Sequence, residues 1–188
     1  MKELVIISGK GGTGKTTLTA CLAFLAKEQI LADCDVDAAD LHILAHPEVT
    51  HEEEFRGGAK ARINPDLCLK CGLCKDACRF HAISEEMVVN PIACEGCGVC
   101  VWNCPVQAID FPEQVCGDWY VSATRFGPLV HARLASGAEN SGKLVSLVRE
   151  QARETAQREN RDLVIVDGPP GTGCPVIAAL TGAAGVLI

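Results

Sequence analysis

Residues 9–16 of this chain read GKGGTGKT, and this stretch decides the fold. It matches the pattern G-x₄-G-K-[S/T] and lies between a β-branched apolar run, residues 4–8, and an apolar pattern of helical spacing, residues 16–28. In such a loop the glycines let backbone N–H groups face phosphates, the lysine reaches the β- and γ-phosphates, and the threonine hydroxyl binds Mg²⁺. The motif therefore predicts a nucleotide site at the start of an α/β fold.

The remainder of the chain alternates between strand-like and helix-like segments. The predicted strands occupy residues 4–8, 30–33, 119–125, 163–166 and 185–188, and the predicted helices occupy residues 16–28, 141–159 and a short segment from about residue 175. This alternation favours a parallel sheet with right-handed crossovers. Residues 47–58 are polar and acidic, and we expect a linker there.

Two cysteine runs interrupt the α/β pattern. Both have the spacing C-x₂-C-x₂-C-x₃-C, which is typical of a bacterial ferredoxin with two clusters, and the second is followed by Pro105. The second run repeats the first at a constant offset, and the pair Ala108-Ile109 matches Ala82-Ile83 at that same offset. Such an internal repeat predicts two copies of one small unit in an inserted module at residues 60–112.

The ferredoxin spacing also assigns ligands, because the fourth cysteine of each run ligates the other cluster in two-cluster ferredoxins. The predicted ligands are Cys68, Cys71, Cys74 and Cys104 for cluster I, and Cys94, Cys97, Cys100 and Cys78 for cluster II. Zinc is the alternative, since C-x₂-C pairs also suit a tetrahedral Zn–S₄ site. It fits the spacing poorly, because the third thiolate of each run would have no separate role.

Composition restricts the classes of partner. The formal net charge is −7 and only eight residues are aromatic, which argues against a general nucleic-acid partner. We expect a cytoplasmic protein, because the sequence shows no export signal and no apolar run long enough to span a membrane. Twelve cysteines would also suit a secreted disulfide scaffold, but that interpretation conflicts with the metal-type spacing.

Four cysteines lie outside the two runs. Cys21 and Cys34 are expected to fill the core, and Cys116 has no evident partner. Cys174 directly follows residues 167–173, and we expect it to pack against its neighbours, to act as a redox-sensitive thiol, or to ligate a bridging cluster. The five histidines show no ligand spacing.

The early lysine of the phosphate loop suggests a family. The pattern K-G-G-x-G-K-T, with Lys10 in addition to Lys15, resembles the deviant Walker A group, which includes MinD, ParA, nitrogenase iron protein and the Mrp-type iron–sulfur carriers. The resemblance implies a homodimer in the ATP state, in which Lys10 reaches the partner's nucleotide. Asp33-Cys34-Asp35 resembles switch I of this group, where Asp35 would orient the attacking water and Asp33 would support it. Residues 167–173, DGPPGTG, resemble switch II, where Asp167 would hold Mg²⁺ through water.

The whole chain is similar to MinD-superfamily ATPases with an inserted ferredoxin domain, which are distant kin of cobyrinic acid a,c-diamide synthase. The resemblance implies a parallel-sheet P-loop NTPase of the SIMIBI class, with residues 1–59 and 113–188 forming the ATPase domain and residues 60–112 a bacterial-type 2[4Fe–4S] ferredoxin module. The family normally continues past residue 188, so the chain is expected to be shortened. The implied nucleotide-binding residues are Gly9, Lys10, Gly11, Gly12, Thr13, Gly14, Lys15, Thr16, Thr17, Asp167, Gly168 and Pro169.

The expected function follows from these two parts. ATP and Mg²⁺ would bind at the loop, Lys10, Lys15 and Asp35 would serve hydrolysis, and nucleotide state would be coupled to electron transfer or to delivery of iron–sulfur or other metallocofactors to a partner protein. Three alternatives stay open: a MinD-like positioning ATPase, the nucleotide-binding part of an amidotransferase like cobyrinic acid a,c-diamide synthase, and a plain ferredoxin with a vestigial loop.

Overall fold

A computed structural model describes residues 1–135, 138 and 141–188, and it divides the chain into two units. One unit comprises Met1–Phe55 and Cys116–Ile188, and the other comprises Arg56–Val115. These boundaries lie close to the ones expected at residues 59 and 112. The second unit is therefore an insertion in the first.

The first unit contains a seven-stranded sheet. Its strands are β1 (Lys2–Ser8), β2 (Gln29–Asp33), β3 (Glu48–Ala59), β6 (Glu113–Ala123), β7 (Leu129–Leu134), β8 (Leu163–Pro170) and β9 (Gly185–Leu187), in the spatial order β3-β6-β7-β2-β8-β1-β9. The strands β7, β2, β8, β1 and β9 are parallel to one another, and β6 is antiparallel to β7. The predicted parallel α/β sheet is confirmed for the central strands.

The helices of this unit are α1 (Lys15–Ala26), α2 (Leu41–Ala45), α5 (Ser141–Arg158) and α6 (Cys174–Leu180). They cover both faces of the sheet, so the central strands are apolar on both sides. Val5 and Val164 pack in one core with α5, while Ile6 and Ile165 pack in another with α1. None of the helices in the described ranges has the length and apolar character that crossing a bilayer requires.

The helix expected at residues 16–28 is confirmed, but of the apolar residues expected on its buried face (Leu18, Cys21, Leu22 and Leu25) only Leu22 packs against the core. Leu18, Cys21 and Leu25 are exposed, while the buried positions are Lys15, Thr19 and Ala23. Small side chains on the buried face bring this helix close to the sheet, and the larger apolar side chains point away from it.

The predicted linker at residues 47–58 is also wrong, because most of it forms β3. β3 lies at one edge of the sheet, so its polar side chains can remain in solvent. The hydroxyl of Thr50 donates a hydrogen bond to the Val121 carbonyl at 2.9 Å, and the rings of His51 and Trp119 lie 4.9 Å apart. The chain thus crosses both unit boundaries within strands, β3 and β6, and not within loops.

The inserted unit is built from two short antiparallel strands, β4 (Arg62–Ile63) and β5 (Ile109–Asp110), and two one-turn helices, α3 (Leu73–Asp76) and α4 (Val99–Trp102). Its core is small and contains Cys74 and Cys100, and four more cysteines of the two runs pack against it: Cys68, Cys78, Cys94 and Cys104. The helices begin after Gly72 and Gly98, which occupy equivalent positions of the two copies and both adopt left-handed conformations. The predicted internal repeat is therefore visible in the backbone.

Candidate functional site

The phosphate loop joins β1 to α1 as the motif predicts. Gly14 caps α1 in a left-handed conformation (φ +91°), no side chain caps the helix, and its first turn contains no acid. The hydroxyl of Ser8 donates to the carbonyl of Lys10 at 2.6 Å and so shapes the start of the loop. Uncapped N–H groups at a helix N-terminus favour an anion, and this arrangement fits phosphate groups.

Three predicted residues converge behind the loop. Lys15 is 8% exposed, and its charge acts on the carboxylates of both Asp35 and Asp167. Burial raises the pKa of Asp35 to about 6, although Lys15 opposes this rise. Lys10 and Thr17, by contrast, are exposed. In the structure Lys15, Asp35 and Asp167 thus lie close enough for their charges to interact.

Asp167 has one oxygen without a partner. It is 1% exposed, its Oδ1 lies 3.3 Å from the hydroxyl of Thr19, and its buried Oδ2 accepts no hydrogen bond. Burial raises the pKa of Asp167, while hydrogen bonds from Thr16 and Thr19 and the charge of Lys15 lower it. A buried carboxylate oxygen without a donor, next to the Thr16 hydroxyl, fits the surroundings of a hydrated Mg²⁺.

Thr19 is a residue of this site that the sequence reasoning missed. Its hydroxyl is fully buried and lies 2.9 Å from the carbonyl of Lys15 as well as near Asp167. The only available signal was its position one helical turn after Lys15, on the same face of α1.

Asp33 holds the segment that carries Asp35. Its carboxylate is fully buried and accepts backbone N–H groups from Asp35 at 3.2 Å and from Leu41 at 3.1 Å. Burial, with the nearby charge of Asp167, raises the pKa of Asp33 well above its usual value. The predicted supporting position of Asp33 agrees with this geometry.

The loop predicted at residues 168–173 begins later than expected, because β8 continues through Pro170. Gly168 is required by space: a Cβ on it would lie 2.6 Å from the carbonyl oxygen of Ile6. The N–H of Gly171, in a left-handed conformation, donates to the Ser8 carbonyl at 2.9 Å. The segment after Asp167 is thus bonded to the strand that leads into the phosphate loop.

The eight cysteines of the two runs line two separate cavities in the inserted unit. The cysteines at one cavity are Cys68, Cys71, Cys74 and Cys104. The cysteines at the other are Cys78, Cys94, Cys97 and Cys100. Each cavity therefore takes three cysteines from one run and the fourth from the other. We call the first cavity I and the second cavity II.

Backbone N–H groups point at cysteine sulfurs in equivalent places of the two repeats. Ala82 N–H donates to Cys78 Sγ at 3.4 Å, and Ala108 N–H donates to Cys104 Sγ at 3.2 Å. Lys70 N–H donates to Cys68 Sγ at 3.4 Å. Hydrogen bonds of this kind support the ligands of metal sites from outside the first coordination shell.

The repeat extends further than the cysteine pattern suggested. Asn64 and Asn90 occupy equivalent positions of the two copies, and the side-chain oxygen of each accepts the backbone N–H of the second residue after it. Their backbone carbonyls accept the N–H of Cys68 and of Cys94, the first cysteine of each run. The sequence contained this signal as the pairs Asn64-Pro65 and Asn90-Pro91, which the interpretation based on cysteines did not use.

The cysteines do not converge on a point. Within the described residues, no group of three or more His, Cys, Asp or Glu side chains is placed to hold a single metal ion. In a cubane each thiolate binds a different iron, so thiolates spread around a cavity fit a [4Fe–4S] group.

Comparison with known proteins identifies the family. The family model described as the CobQ/CobB/MinD/ParA nucleotide binding domain matches residues 4–178. The chain belongs to this family. Its members are nucleotide-binding proteins by description, and that description does not mention cysteines.

Two relatives from Methanocaldococcus jannaschii match most of the chain. The uncharacterized protein MJ0578 is 36% identical over 187 residues, covering 95% of this chain and 63% of its own length. The uncharacterized protein MJ0579 is 29% identical over 202 residues, covering all of this chain and 70% of its own length. The chain thus spans about two thirds of the length of these relatives.

Two solved structures are similar at low identity. They are the septum site-determining protein MinD complexed with Mg-ADP from Pyrococcus horikoshii (17% identity, TM-score 0.47) and the cell division ATPase MinD from Pyrococcus furiosus (19% identity, TM-score 0.44). Each alignment covers 98% of this chain and 56% or 57% of the other. Scores at this level support no inference about mechanism.

The cysteines outside the two runs divide into buried and exposed pairs in this CobQ/CobB/MinD/ParA domain. Cys34 and Cys116 are buried, as expected for Cys34. Cys21 is exposed, so its predicted place in the core is wrong, for the same reason that the predicted face of α1 is wrong. Cys174 is exposed at the start of α6.

Proposed function

We propose that this protein is an ATP-hydrolysing iron–sulfur protein that couples its nucleotide state to electron transfer or to delivery of a metallocofactor. One observation carries the proposal: a single chain combines a phosphate loop of the CobQ/CobB/MinD/ParA family with two cavities, each lined by four cysteines. The cysteines cross between the runs in the way that two-cluster ferredoxins require.

The cysteine cavities would hold the two clusters. Cys68, Cys71, Cys74 and Cys104 would ligate cluster I, and Cys94, Cys97, Cys100 and Cys78 would ligate cluster II. Bound [4Fe–4S] groups supply one-electron redox chemistry. The N–H groups of Ala82 and Ala108 would stabilise the ligating sulfurs of the two crossing cysteines.

The phosphate loop would bind ATP through its own backbone and side chains. The N–H groups at the start of α1 would contact phosphate oxygens, and Lys15 would neutralise phosphate charge. Thr16 and Asp167 would hold Mg²⁺, Asp167 through water, which agrees with the unpartnered Oδ2 of Asp167. Asp35, held by the bond from its N–H to Asp33, would orient the attacking water.

Lys10 would act on the nucleotide of a second subunit. The side chain of Lys10 is exposed and can contact a second subunit, whereas Lys15 is buried behind the same loop. A homodimer in the ATP state would give each nucleotide one lysine from each subunit. The charge of Lys10 would then stabilise the transferring phosphoryl group.

The iron and sulfide content tests the cluster assignment, and the rate of ATP hydrolysis tests the ATPase assignment. Protein purified without oxygen should contain about eight irons and eight sulfides per chain, as two cubanes require. The same protein should hydrolyse ATP in the presence of Mg²⁺. Zinc in place of iron would contradict the cluster assignment, and iron-loaded protein without turnover would contradict the ATPase assignment.

Two lysine variants test the nucleotide site. Lys15→Ala should abolish ATP binding in an equilibrium binding assay, because it removes the buried charge at the phosphates. Lys10→Ala should retain binding by the monomer and lose hydrolysis and ATP-dependent dimerisation. Equal behaviour of the two variants would reject the role of Lys10 across the dimer.

A direct test of coupling compares nucleotide states. ATP and ADP should give different reduction potentials for the bound clusters, or different rates of cluster transfer to an acceptor protein. Identical values in the two states would contradict coupling while leaving both activities in place.

A MinD-like positioning ATPase is the second candidate, supported by the family match. In that case ATP would control assembly, and the cysteines would only stabilise the inserted unit. The two candidates differ in the effect of cluster reduction on ATP turnover: the first predicts a change and the second predicts none.

A further inference from the structure

The internal repeat makes the two cavities comparable position by position. Residues that line cavity I and their equivalents in cavity II pair as Ile63/Val89, Met87/Ala61, Val106/Phe80, Ala108/Ala82 and Ile109/Ile83. All of these pairs are uncharged. Each residue at one cavity can therefore be compared with the residue at the equivalent position of the other cavity.

One equivalent pair differs in charge. Leu69 lines cavity I, and Glu95 occupies the equivalent position in cavity II. Apart from the cysteines, Glu95 is the only ionisable side chain among the described residues that line either cavity. Cavity II therefore has an acid at its rim, where cavity I has an apolar side chain.

The next residue adds to the difference. Lys70 follows Leu69, and its N–H donates to Cys68 Sγ at 3.4 Å, so the backbone of this cation is adjacent to a ligand of cavity I. The equivalent residue of the second repeat is Gly96, which has no side chain. At this position copy one has a cationic side chain, and copy two has no side chain.

None of the cations among the described residues of the unit lines either cavity. Arg79 lies over the ring of Phe80, which lines cavity II, with its guanidinium carbon 5.3 Å from the ring centroid. Its charge opposes that of Glu95, but Arg79 itself does not line the cavity. Lys75 pairs with Glu85, which reduces its influence on cavity I. Cavity II is therefore the one of the two whose lining includes a carboxylate.

We infer that the two cysteine sites are electronically unequal: a cluster in cavity I has the higher reduction potential, and Glu95 sets the difference. Reduction adds one negative charge to a group that is already anionic, so a neighbouring carboxylate disfavours it and a neighbouring ammonium favours it. The inference rests on the proposed function, because it requires both cavities to hold [4Fe–4S] groups. The first electron from a reductant such as dithionite would then reside mainly at cavity I.

Stepwise reductive titration of the full, iron-loaded chain, followed by electron paramagnetic resonance, tests the inference. The wild type should take up two electrons at two unequal potentials, so that its two singly reduced forms are unequally populated. Glu95→Gln should raise the lower of the two potentials and leave the higher one unchanged. We expect the ratio of the two singly reduced forms to change about three- to tenfold, where tenfold corresponds to about 59 mV for one electron.

Leu69→Glu is the matched variant and should lower the higher potential, so that the two steps merge. This second variant keeps the inference testable if Glu95→Gln does not accumulate as loaded protein. Two clusters with equal potentials that neither substitution changes would overturn the inference and leave the proposed function intact. Protein without two clusters would overturn the proposed function, and the inference with it.

Discussion

Asp35→Asn should stabilise the first unit (Met1–Phe55 and Cys116–Ile188), and the gain should increase with pH. Burial raises the pKa of Asp35 from 3.8, the value for a solvated aspartate, to about 6, so the folded state holds this proton more tightly than the unfolded state does. Stability is therefore lost as pH rises through this window, and the charged form is the unfavourable one at neutral pH. Asparagine keeps the shape without the charge.

The magnitude follows from the pKa. A rise from 3.8 to about 6 corresponds to about 3 kcal/mol at roughly 1.4 kcal/mol per pH unit. Asp35 is only half-buried, so solvent screening reduces this to about 1–2 kcal/mol. Linkage places about half of the change between about pH 5 and pH 7.5, so the stability difference between the variant and the wild type should grow by about 1 kcal/mol over that interval.

Urea denaturation at a series of pH values measures this difference. In a Trp102→Phe background the fluorescence of Trp119, which is buried in β6, reports unfolding of the sheet. Asp162→Asn, at an exposed position of the same unit, is the control and should show no growth of the difference. An advantage of Asp35→Asn that stays constant or shrinks over that pH interval would refute the reasoning.

Three further predictions concern packing, the metal site and the cysteine pairing. Gly168→Ala should destabilise the fold by about 1–3 kcal/mol in denaturant titrations, because its Cβ would lie 2.6 Å from a backbone oxygen. The control Gly9→Ala, whose Cβ meets no atom within 4 Å, should be nearly neutral. Equal losses of stability in the two variants would contradict the packing argument. Asp167→Asn should make binding of a fluorescent ATP analogue independent of Mg²⁺, and undiminished Mg²⁺ dependence would remove Asp167 from the metal site. The double variant Cys74→Ser/Cys104→Ser should retain about four irons, because both residues line cavity I; loss of all iron would instead indicate that each run holds its own cluster.

The sequence predicted the parts of the fold that depend on local pattern. The buried strand expected at residues 30–33 is observed as Gln29–Asp33, since strands covered on both faces form short continuous apolar runs. β3 was not predicted because an edge strand can be polar, and Glu52, Glu53 and Glu54 therefore suggested a linker. The buried face of α1 was not predicted because its contacts with the sheet use threonine and alanine.

At the candidate site, too, the sequence predicted what depends on local pattern and did not predict what depends on packing between distant residues. The phosphate loop is a contiguous motif, and residues 9–16 were sufficient to predict its position between β1 and α1. The contact between Thr19 and Asp167 joins residues 148 positions apart, so only the packing of α1 on β8 reveals it. The unpartnered oxygen of Asp167 likewise depends on burial from several elements, which no local pattern encodes.

The backbone of the inserted unit supports a functional difference within the repeat. Lys70 and Gly96, at equivalent positions of the two copies, both have positive φ, and so do the equivalent residues His81 and Gln107. Since left-handed backbone disfavours residues other than glycine, the repeat keeps its shape at a cost in Lys70, His81 and Gln107. Two copies whose backbones agree in this way place residues 69 and 95 at equivalent backbone positions. A leucine in one copy and a glutamate in the other then differ in what they do to a bound group, because the backbone around them does not differ.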